Sequence, residues 1–408
     1  MTHTPMLPTE DLPASEWAHS SAGTSDHPTL QEWRDWRWQL RHAARTPQAL
    51  FDRGLISSAE LESLGEVTAQ FKTLVTPYYL SLIDREDPQC PIRRQAIPRA
   101  DELTLISGER DDPIGDRVNA PTPLLVHRYP DRALLFPTYE CPMFCRYCFR
   151  KEALNEAPIR LHHALPESIA YLRDHPEITE VILSGGDPLM LSTARLSSLL
   201  ESLSSCSLKR LRIHTRMPVT LPQRIDAQLA EAVSTWRLNK AVTVIAHFNH
   251  PREVTPDAVN ALTLLRRAGV TLLNQSVLLS GVNDRDDLMR ELCLRLGDHG
   301  VIPYYLHHPD LTRGTHSYRV SLSRGVEMYR KLRGTLSGYL IPRYVIEIPG
   351  GYGKVEVASE AVRRGSDQGE WWLTSPLDGS VHHYVDPAEF NPSRSRSSIE
   401  LSSDIEPL

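Results

Sequence analysis

Three cysteines, Cys141, Cys145 and Cys148, fall within eight residues of the sequence. Thiolates are the ligands that iron–sulfur clusters prefer. A cubane has four iron atoms, so three cysteines leave one iron open to a small molecule. Zinc normally takes four protein ligands, and no further Cys or His follows at a suitable short spacing. The spacing therefore predicts a 4Fe–4S cluster rather than zinc.

The other cysteines, Cys90, Cys206 and Cys293, are scattered along the chain. In a reducing compartment this distribution favours a cluster site over disulfide bridges, so we expect these three to be buried thiols.

The composition excludes several classes of protein. The hydrophobic share of 40% and the charged share of 24% are typical of a globular protein, and a net charge of -6 argues against a nucleic-acid partner. No apolar run is long enough to span a bilayer, and the first residues lack the features of a signal peptide. We therefore expect a cytoplasmic protein with a small-molecule substrate.

The cysteine motif, with Tyr147 before its last member, resembles the signature of radical S-adenosylmethionine (SAM) enzymes. The resemblance implies that the amino and carboxylate groups of SAM bind the open iron. A second motif, Ser184, Gly185, Gly186 and Asp187, ends the next predicted strand. Alone it is typical of a strand-to-helix turn. One β/α unit after the cysteines, it matches the position that holds the amino group of SAM.

These motifs lie in a region of alternating strands and helices. Amphipathic segments separate or follow six apolar runs, which are RALLFPTYE, TEVILSGGDP, KRLRIHTRMP, AVTVIAHFNH, VTLLNQSVLL and VIPYYLHHPD. The alternation predicts an α/β fold, a parallel sheet that closes into a partial or complete barrel with functional residues at the carboxyl ends of its strands. Together with the resemblance, it implies a partial (βα)6-type radical SAM barrel. The run PRYVIEIPGGYGK adds a possible edge strand, and WWLTSPLDGSVHHYV predicts a C-terminal β-hairpin.

A wider set of segments resembles the lysine 2,3-aminomutase family, which combines radical SAM chemistry with pyridoxal phosphate (PLP). The resemblance spans about Trp33 to Val357 and includes, in order, WRDWRWQL, TPYYLSLIDREDPQCPIRRQAIP, HRYPDRALL, CPMFCRYCFR, ILSGGDPLM, HFNHPREVT, LLNQSVLLSGVND, PYYLHHPDL and IPGGYGK. It implies three cofactors, a 4Fe–4S cluster, SAM and PLP.

The resemblance also assigns roles to single residues. Lys354, in a glycine-rich segment, matches the lysine that forms the Schiff base with PLP, and it is our candidate catalytic residue. Arg128, Tyr129 and Arg132 match the site for the phosphate, to which two guanidinium groups and a phenol can donate hydrogen bonds. Without the family, a lysine after glycines and the segment HRYPDR would be interpreted as surface turns.

Further residues are assigned to SAM and to the substrate. His247 and Gln275 fall at strand ends where relatives hold SAM. Arg150 corresponds to the ligand of the amino-acid carboxylate, and a surface salt bridge is the competing interpretation. Asp310 and Glu347 match the acidic pair that binds the distal ammonium of lysine.

The acidic pair predicts a free basic amino acid as the substrate, because two carboxylates disfavour an acidic side chain. At the position that matches Glu347, the fermentative lysine enzymes have Asp. Aminomutases that make β-lysine for the modification of elongation factor P have Glu there, as this chain does. We expect L-lysine to be converted to β-lysine. Arginine 2,3-aminomutase stays an alternative, as does a non-catalytic iron–sulfur protein for electron transfer.

The resemblance further implies an electron donor of the flavodoxin or ferredoxin type and a homo-oligomer. Some relatives join subunits through a zinc site that uses tail cysteines and a cysteine after GVND. Here the tail has no cysteine and Arg285 follows GVND, so we expect no such zinc. The predicted division is a mobile segment (1–30), a helical region and connection (31–123), the barrel with its PLP-binding loop (124–358), a hairpin extension (359–390) and a mobile tail (391–408).

Overall fold

The computed structural model describes residues 28–155, 161–237 and 240–389. The predicted mobile tail, and the predicted mobile N-terminal segment apart from residues 28–30, lie outside these ranges. In the described part of the chain, no helix combines the length and the apolar character needed to cross a membrane.

The main sheet has nine strands, and their order across the sheet is the same as their order in the chain. The strands from β2 to β8 run parallel to one another, while β1 and β9 are antiparallel to their neighbours. The strands are β1 (Leu125–Tyr129), β2 (Arg132–Leu135), β3 (Glu180–Leu183), β4 (Arg210–Thr215), β5 (Ala241–Ala246), β6 (Thr271–Val277), β7 (Ile302–His307), β8 (Arg343–Glu347) and β9 (Lys354–Glu356).

This sheet confirms the predicted partial barrel. The six predicted strands are β2 to β7, and the expected extra strand contributes both β8 and β9. The segment HRYPDR contains the end of β1, the turn after it and the first residue of β2, and Tyr129 pairs with Arg132 across this turn. A strand thus precedes the first one that the sequence indicated.

Side chains alternate across the sheet, as expected for pleated strands. In β4, Leu211 and Ile213 are fully buried in the apolar core on one face. Arg210, Arg212 and His214 line a cavity on the other face. The sheet therefore separates an apolar layer under its helices from a polar interior.

The helices pack before and between these strands. They are α1 (Leu30–Arg34), α2 (Trp36–Arg41), α3 (Pro47–Phe51), α4 (Ser58–Gln70), α5 (Pro77–Ser81), α6 (Pro91–Ala96), α7 (Leu161–Asp174), α8 (Thr193–Ser204), α9 (Met217–Thr220), α10 (Ala227–Arg237), α11 (Pro256–Arg267), α12 (Asp286–Asp298) and α13 (Leu322–Thr335).

The predicted helical N-terminal region is present as α1 to α6. The apolar pattern around Trp33 indicates helix, but Asp35 breaks it in two because its side chain caps the backbone N–H of Arg37 at 2.9 Å. The longest of these helices, α4, begins with a capping box in which Ser57 and Glu60 bond to each other's backbone N–H groups.

The C-terminal extension is a separate antiparallel sheet of β10 (Val362–Arg364), β11 (Glu370–Thr374) and β12 (Val381–Val385). The predicted hairpin is β11–β12, and β10 is an additional strand. Buried apolar side chains continue from Ala44 through the barrel to Tyr384 in one cluster. The predicted limits at residues 123 and 358 stay predictions, and the core crosses both.

A buried cluster of one carboxylate and two cations joins the N-terminal region to the loop that carries the cysteines. Glu102 accepts hydrogen bonds from Arg146, one of them from Nε at 3.0 Å, and from Lys151 Nζ at 2.6 Å. All three side chains are at most 5% exposed. Burial alone would raise the pKa of Glu102, but the two cations outweigh it and hold the pKa below its usual value.

Replacing the carboxylate in Glu102→Gln leaves two cations buried without a counter-charge. We expect the free energy of unfolding to fall by about 3–5 kcal/mol, measured from urea transitions of the full chain. The control is Asp287→Asn, which breaks the pair with Arg285, where the side chains are 64% and 69% exposed. The control should match the wild type, and equal stability of all three proteins would contradict a role for the buried charge.

Candidate active site

All sixteen residues predicted to form the site line one cavity of about 690 Å³ inside the sheet. They are Arg128, Tyr129, Arg132, Cys141, Cys145, Cys148, Arg150, Ser184, Gly185, Gly186, Asp187, His247, Gln275, Asp310, Glu347 and Lys354. They come from the end of β1 and the start of β2, from the loop after β2, from the carboxyl ends of β3, β5, β6, β7 and β8, and from the start of β9. The tertiary structure thus brings together groups that are up to 226 positions apart in the sequence.

The cysteine loop has no regular structure of its own, and the N-terminal region holds it. The backbone N–H of Phe144 donates to Leu74 O and that of Arg146 donates to Gln95 O, both at 3.0 Å. Burial raises the pKa of the Cys148 thiol to about 11, and the neighbouring Cys145 adds to this shift. Thiols in this environment lose their protons only when a cation compensates the charge, as iron does.

The glycine pair after β3 makes room for this loop. Gly185 has φ +98°, and a Cβ there would lie 2.7 Å from Thr138 O. A Cβ on Gly186 would collide with the backbone of Glu140. Backbone N–H groups of Gly186 and Asp187 donate to Thr138 O and Glu140 O at 2.9 and 2.8 Å. The glycines therefore serve the approach of the cysteine loop to the sheet.

The carboxylate of Asp187 is engaged within the protein. It accepts hydrogen bonds from Thr215 Oγ1 and the backbone N–H of Arg216, both at 2.8 Å, and from the N–H of Leu189 at 3.0 Å. These contacts tie the end of β3 to the end of β4. A role of Asp187 in SAM binding stays a prediction, and the observed contacts give the residue a structural role.

The two other residues assigned to SAM differ in their contacts. His247 Nε2 lies 2.8 Å from the hydroxyl of Tyr147, and the two rings stack with centroids 5.8 Å apart. Burial lowers the pKa of His247 well below its usual value, and Arg216 adds to this shift, so the ring is neutral. Gln275 makes no side-chain hydrogen bond with the described residues, which leaves its amide free for a ligand in the cavity.

Lys354 begins β9 after a turn of glycines. The backbone N–H of Ile348 donates to Gly353 O at 2.9 Å, and Gly353 has φ +96°, so the turn suits glycine. The hydroxyl of Tyr129 accepts a hydrogen bond from the backbone N–H of Lys354 at 3.1 Å. The amine of Lys354 lies 2.9 Å from Glu347 Oε2. The lysine is thus next to the predicted phosphate site.

The predicted phosphate residues do not all face the same way. The guanidinium of Arg132 lies 3.8 Å from the ring centre of Tyr129 and pairs with Asp131. Arg128 instead pairs with Glu347 and, at 3.3 Å, with Asp116. The structure brings Tyr129 and Arg132 together and directs Arg128 toward the acidic groups of the cavity.

Asp116 is a site residue that sequence reasoning missed. Its carboxylate lies between two arginines, 3.3 Å from Arg128 and 2.8 Å from Arg150 Nε. NH1 of Arg150 also donates to Ser184 Oγ at 3.3 Å. Asp116 lies within the proline-rich connection, which has no apolar periodicity, so no signal in the sequence linked it to the site.

Asp310 differs from the other acids of the cavity. Its side chain makes no hydrogen bond or ion pair with any residue that the structure describes. Burial raises its pKa to about 7, and the negative charge of Glu347 adds to the shift. At Glu347, Lys354 and Arg128 outweigh the effect of burial and lower the pKa. The cavity therefore holds one compensated carboxylate beside one without a partner.

Comparison with known proteins decides the family. A model of the radical SAM superfamily matches residues 135–293. The L-lysine 2,3-aminomutase of Clostridium subterminale is 38% identical over 88% of this chain and 86% of that protein. The chain belongs to the lysine 2,3-aminomutase family. The L-lysine 2,3-aminomutase of Bacillus subtilis is 36% identical over 91% of this chain and 78% of that protein. The glutamate 2,3-aminomutase of Clostridioides difficile is 35% identical over 83% of this chain and 80% of that protein.

Membership of the lysine 2,3-aminomutase family makes this chain an isomerase, a radical SAM aminomutase that acts on an amino acid. It implies a 4Fe–4S cluster, SAM and PLP as cofactors. The cavity suits them. Cys141, Cys145 and Cys148 line it together, and a cubane binds each thiolate at a separate iron.

The polar groups of the cavity also suit PLP. Nε2 of His214 and Nε of Arg128 are buried without a hydrogen-bond partner in the described structure. His214 is a second residue that the sequence analysis missed, although it ends the predicted strand KRLRIHTRMP. Arg216, in the same segment, is a third. The sequence analysis expected functional residues at the carboxyl ends of the strands and identified such groups after the neighbouring strands. The same expectation, applied to this strand, would have found His214 and Arg216.

Asp116 accepts a hydrogen bond from Arg150 Nε and so orients the guanidinium, for which binding of the substrate carboxylate stays a prediction. We expect Asp116→Asn to raise KM for the amino acid by about tenfold or more, since a hydrogen bond to a charged group is worth about 1.5–3 kcal/mol. Asp116→Glu should restore part of the loss.

The control for this prediction is Asp111→Asn, in the same segment of the chain. The carboxylate of Asp111 lies 3.9 Å from Arg313 and pairs with neither Arg128 nor Arg150. Steady-state kinetics of the reconstituted enzyme provide the measurement. An unchanged or lower KM in Asp116→Asn would show that Asp116 does not orient Arg150.

Proposed function

We propose that this enzyme is a PLP-dependent 2,3-aminomutase that moves the α-amino group of a free basic amino acid to the β-carbon, with L-lysine as the first candidate. The observation that supports a basic side chain is the carboxylate of Asp310, which lies near Glu347 in the cavity and has no partner among the described residues.

The charges at this end of the cavity favour a cation. Asp310 has no partner in the described structure, and its pKa of about 7 reflects burial and repulsion by Glu347. An ammonium group between the two carboxylates would relieve both effects. The carboxylate of a glutamate side chain would add a third negative charge and is disfavoured.

For the carboxylate of the substrate, Arg150 offers a positively charged partner. Arg150 has its Nε bonded to Asp116 and its guanidinium 4.3 Å from the ring centre of Phe149. A guanidinium fixed in this way can bind a carboxylate through two parallel hydrogen bonds. Arg150 and the acidic pair thus suit the two ends of a free basic amino acid.

When bound, the reduced cluster and SAM supply a carbon radical, and PLP delocalises the unpaired electron. The protein's own residues bind and orient. Lys354 supplies the amine that anchors PLP, and Tyr129 and Arg132 offer donors to its phosphate.

One anaerobic assay tests this proposal. The reconstituted enzyme, with SAM, PLP and dithionite, is given lysine, arginine, ornithine or glutamate, and the products are derivatised and identified by mass spectrometry. We expect β-lysine from lysine as the main product. Main turnover of arginine would change the substrate within the same class, and turnover of glutamate alone would contradict the assignment of Asp310 and Glu347.

The cofactor assignment has its own test in Lys354→Ala. This variant should lose both the activity and the absorbance band of covalently held PLP, because the anchoring amine is gone, while it keeps the broad iron–sulfur absorbance. The matched control is Lys331→Ala, which removes an amine that is 51% exposed on α13. A PLP band that persists in Lys354→Ala would show that another lysine holds the cofactor.

The charge of Asp310 predicts a pH dependence. Below its pKa of about 7 the carboxyl is protonated and loses the attraction for an ammonium group, whereas the lysine side chain keeps its charge. We therefore expect kcat/KM for lysine to fall as the pH drops from 8 to 6. Asp310→Asn should have a lower kcat/KM that lacks this step. A step near pH 7 that survives in Asp310→Asn would assign it to another group.

A further inference from the structure

A buried arginine in the lining of the cavity contacts one of the three cysteines. Arg216 follows β4, and its side chain is 9% exposed. Its NH1 donates a hydrogen bond to Cys145 Sγ at 2.8 Å. Neither the cysteine motif nor the residues assigned to SAM, PLP or the substrate include this arginine.

A set of buried groups fixes the guanidinium from the other nitrogen. NH2 of Arg216 donates to Glu253 Oε1 at 2.6 Å, to Gln95 Oε1 at 2.7 Å and to the hydroxyl of Tyr79 at 3.2 Å. Glu253, Gln95 and Tyr79 have no exposed surface. The ion pair therefore has a fixed orientation: the guanidinium of Arg216 contacts the sulfur of Cys145 through NH1 and the carboxylate of Glu253 through NH2.

The carboxylate of Glu253 is itself held in place. It accepts hydrogen bonds from the backbone N–H groups of Asn249 at 2.7 Å and His250 at 3.1 Å, and from Tyr79 at 2.8 Å. Tyr79 and Gln95 belong to α5 and α6, so the N-terminal helices help to place the charge next to Cys145.

We propose that the pair of Arg216 and Glu253 sets the reduction potential of the cluster through Cys145, which rests on the proposed role of Cys145 as an iron ligand. Reduction adds a negative charge to the cluster. A cation and a hydrogen-bond donor at the ligand sulfur stabilise the reduced form, and an anion nearby destabilises it. Arg216 therefore raises the potential and Glu253 moderates this effect.

The two residues should act with opposite signs, which general damage to the fold would not produce. Arg216→Gln removes the cation and should shift the midpoint potential to more negative values. Glu253→Gln leaves the cation uncompensated and should shift it to more positive values. Arg216→Lys keeps the charge without the forked geometry, so its potential should lie between those of the wild type and Arg216→Gln.

The measurement is a redox titration of the anaerobically reconstituted full chain without SAM, followed by electron paramagnetic resonance. Iron content is determined first, so that only proteins with a complete cluster are compared. The control is Arg224→Gln, which removes a buried arginine that bonds to Leu191 O and Thr193 rather than to a cysteine. The control should keep the wild-type potential.

The outcomes separate this inference from the proposed function. A wild-type protein that assembles no cluster would contradict the proposed function. A wild type with a cluster, and equal potentials in Arg216→Gln and Glu253→Gln, would overturn the inference alone. If Arg216→Gln assembles no cluster, the signs of the shifts in Arg216→Lys and Glu253→Gln decide, and shifts of the same sign overturn it.

Discussion

Charge compensation inside the sheet is the constraint on which this structure depends. A charge removed from water costs several kcal/mol unless a counter-charge and hydrogen bonds replace its hydration. Almost every charged group in the cavity meets this condition. Arg128 is shared by Asp116 and Glu347, and Lys354 lies against Glu347. Among the described residues, the side chain of Asp310 has neither a counter-charge nor a hydrogen bond, and burial together with the charge of Glu347 raises its pKa.

The same constraint explains why the N-terminal helices belong to the site. The cysteine loop has little regular structure, and buried ionic contacts fix it at two points. Glu102 holds Arg146 and Lys151 of the loop, and Gln95 and Tyr79 hold the arginine that bonds to Cys145. A barrel without these helices would leave the loop, and the charges beside it, without partners.

The cavity can be understood as a set of charges that substrate and cofactor rearrange. In the protein alone, Arg128 and Lys354 compensate Glu347. A phosphate near Arg128 and a covalently held cofactor at Lys354 would withdraw both cations from this carboxylate. In the proposed function, a basic substrate side chain would then supply the positive charge next to Asp310 and Glu347. Under the proposed function, Glu347 would therefore couple substrate choice to cofactor binding.

The sequence by itself was enough to predict the strands from β2 to β8, the cysteine motif and sixteen residues that line the cavity, whose roles stay predictions. These depend on local signals, such as apolar periodicity and short motifs that resemble a family. The sequence did not show that Gly185 and Gly186 serve the backbone before Cys141, nor that Arg128 turns toward Glu347. Such pairings join distant parts of the chain and leave no periodic pattern. Only the tertiary structure decided them, because the partner of a buried charge is set by which side chains the fold places within hydrogen-bond distance.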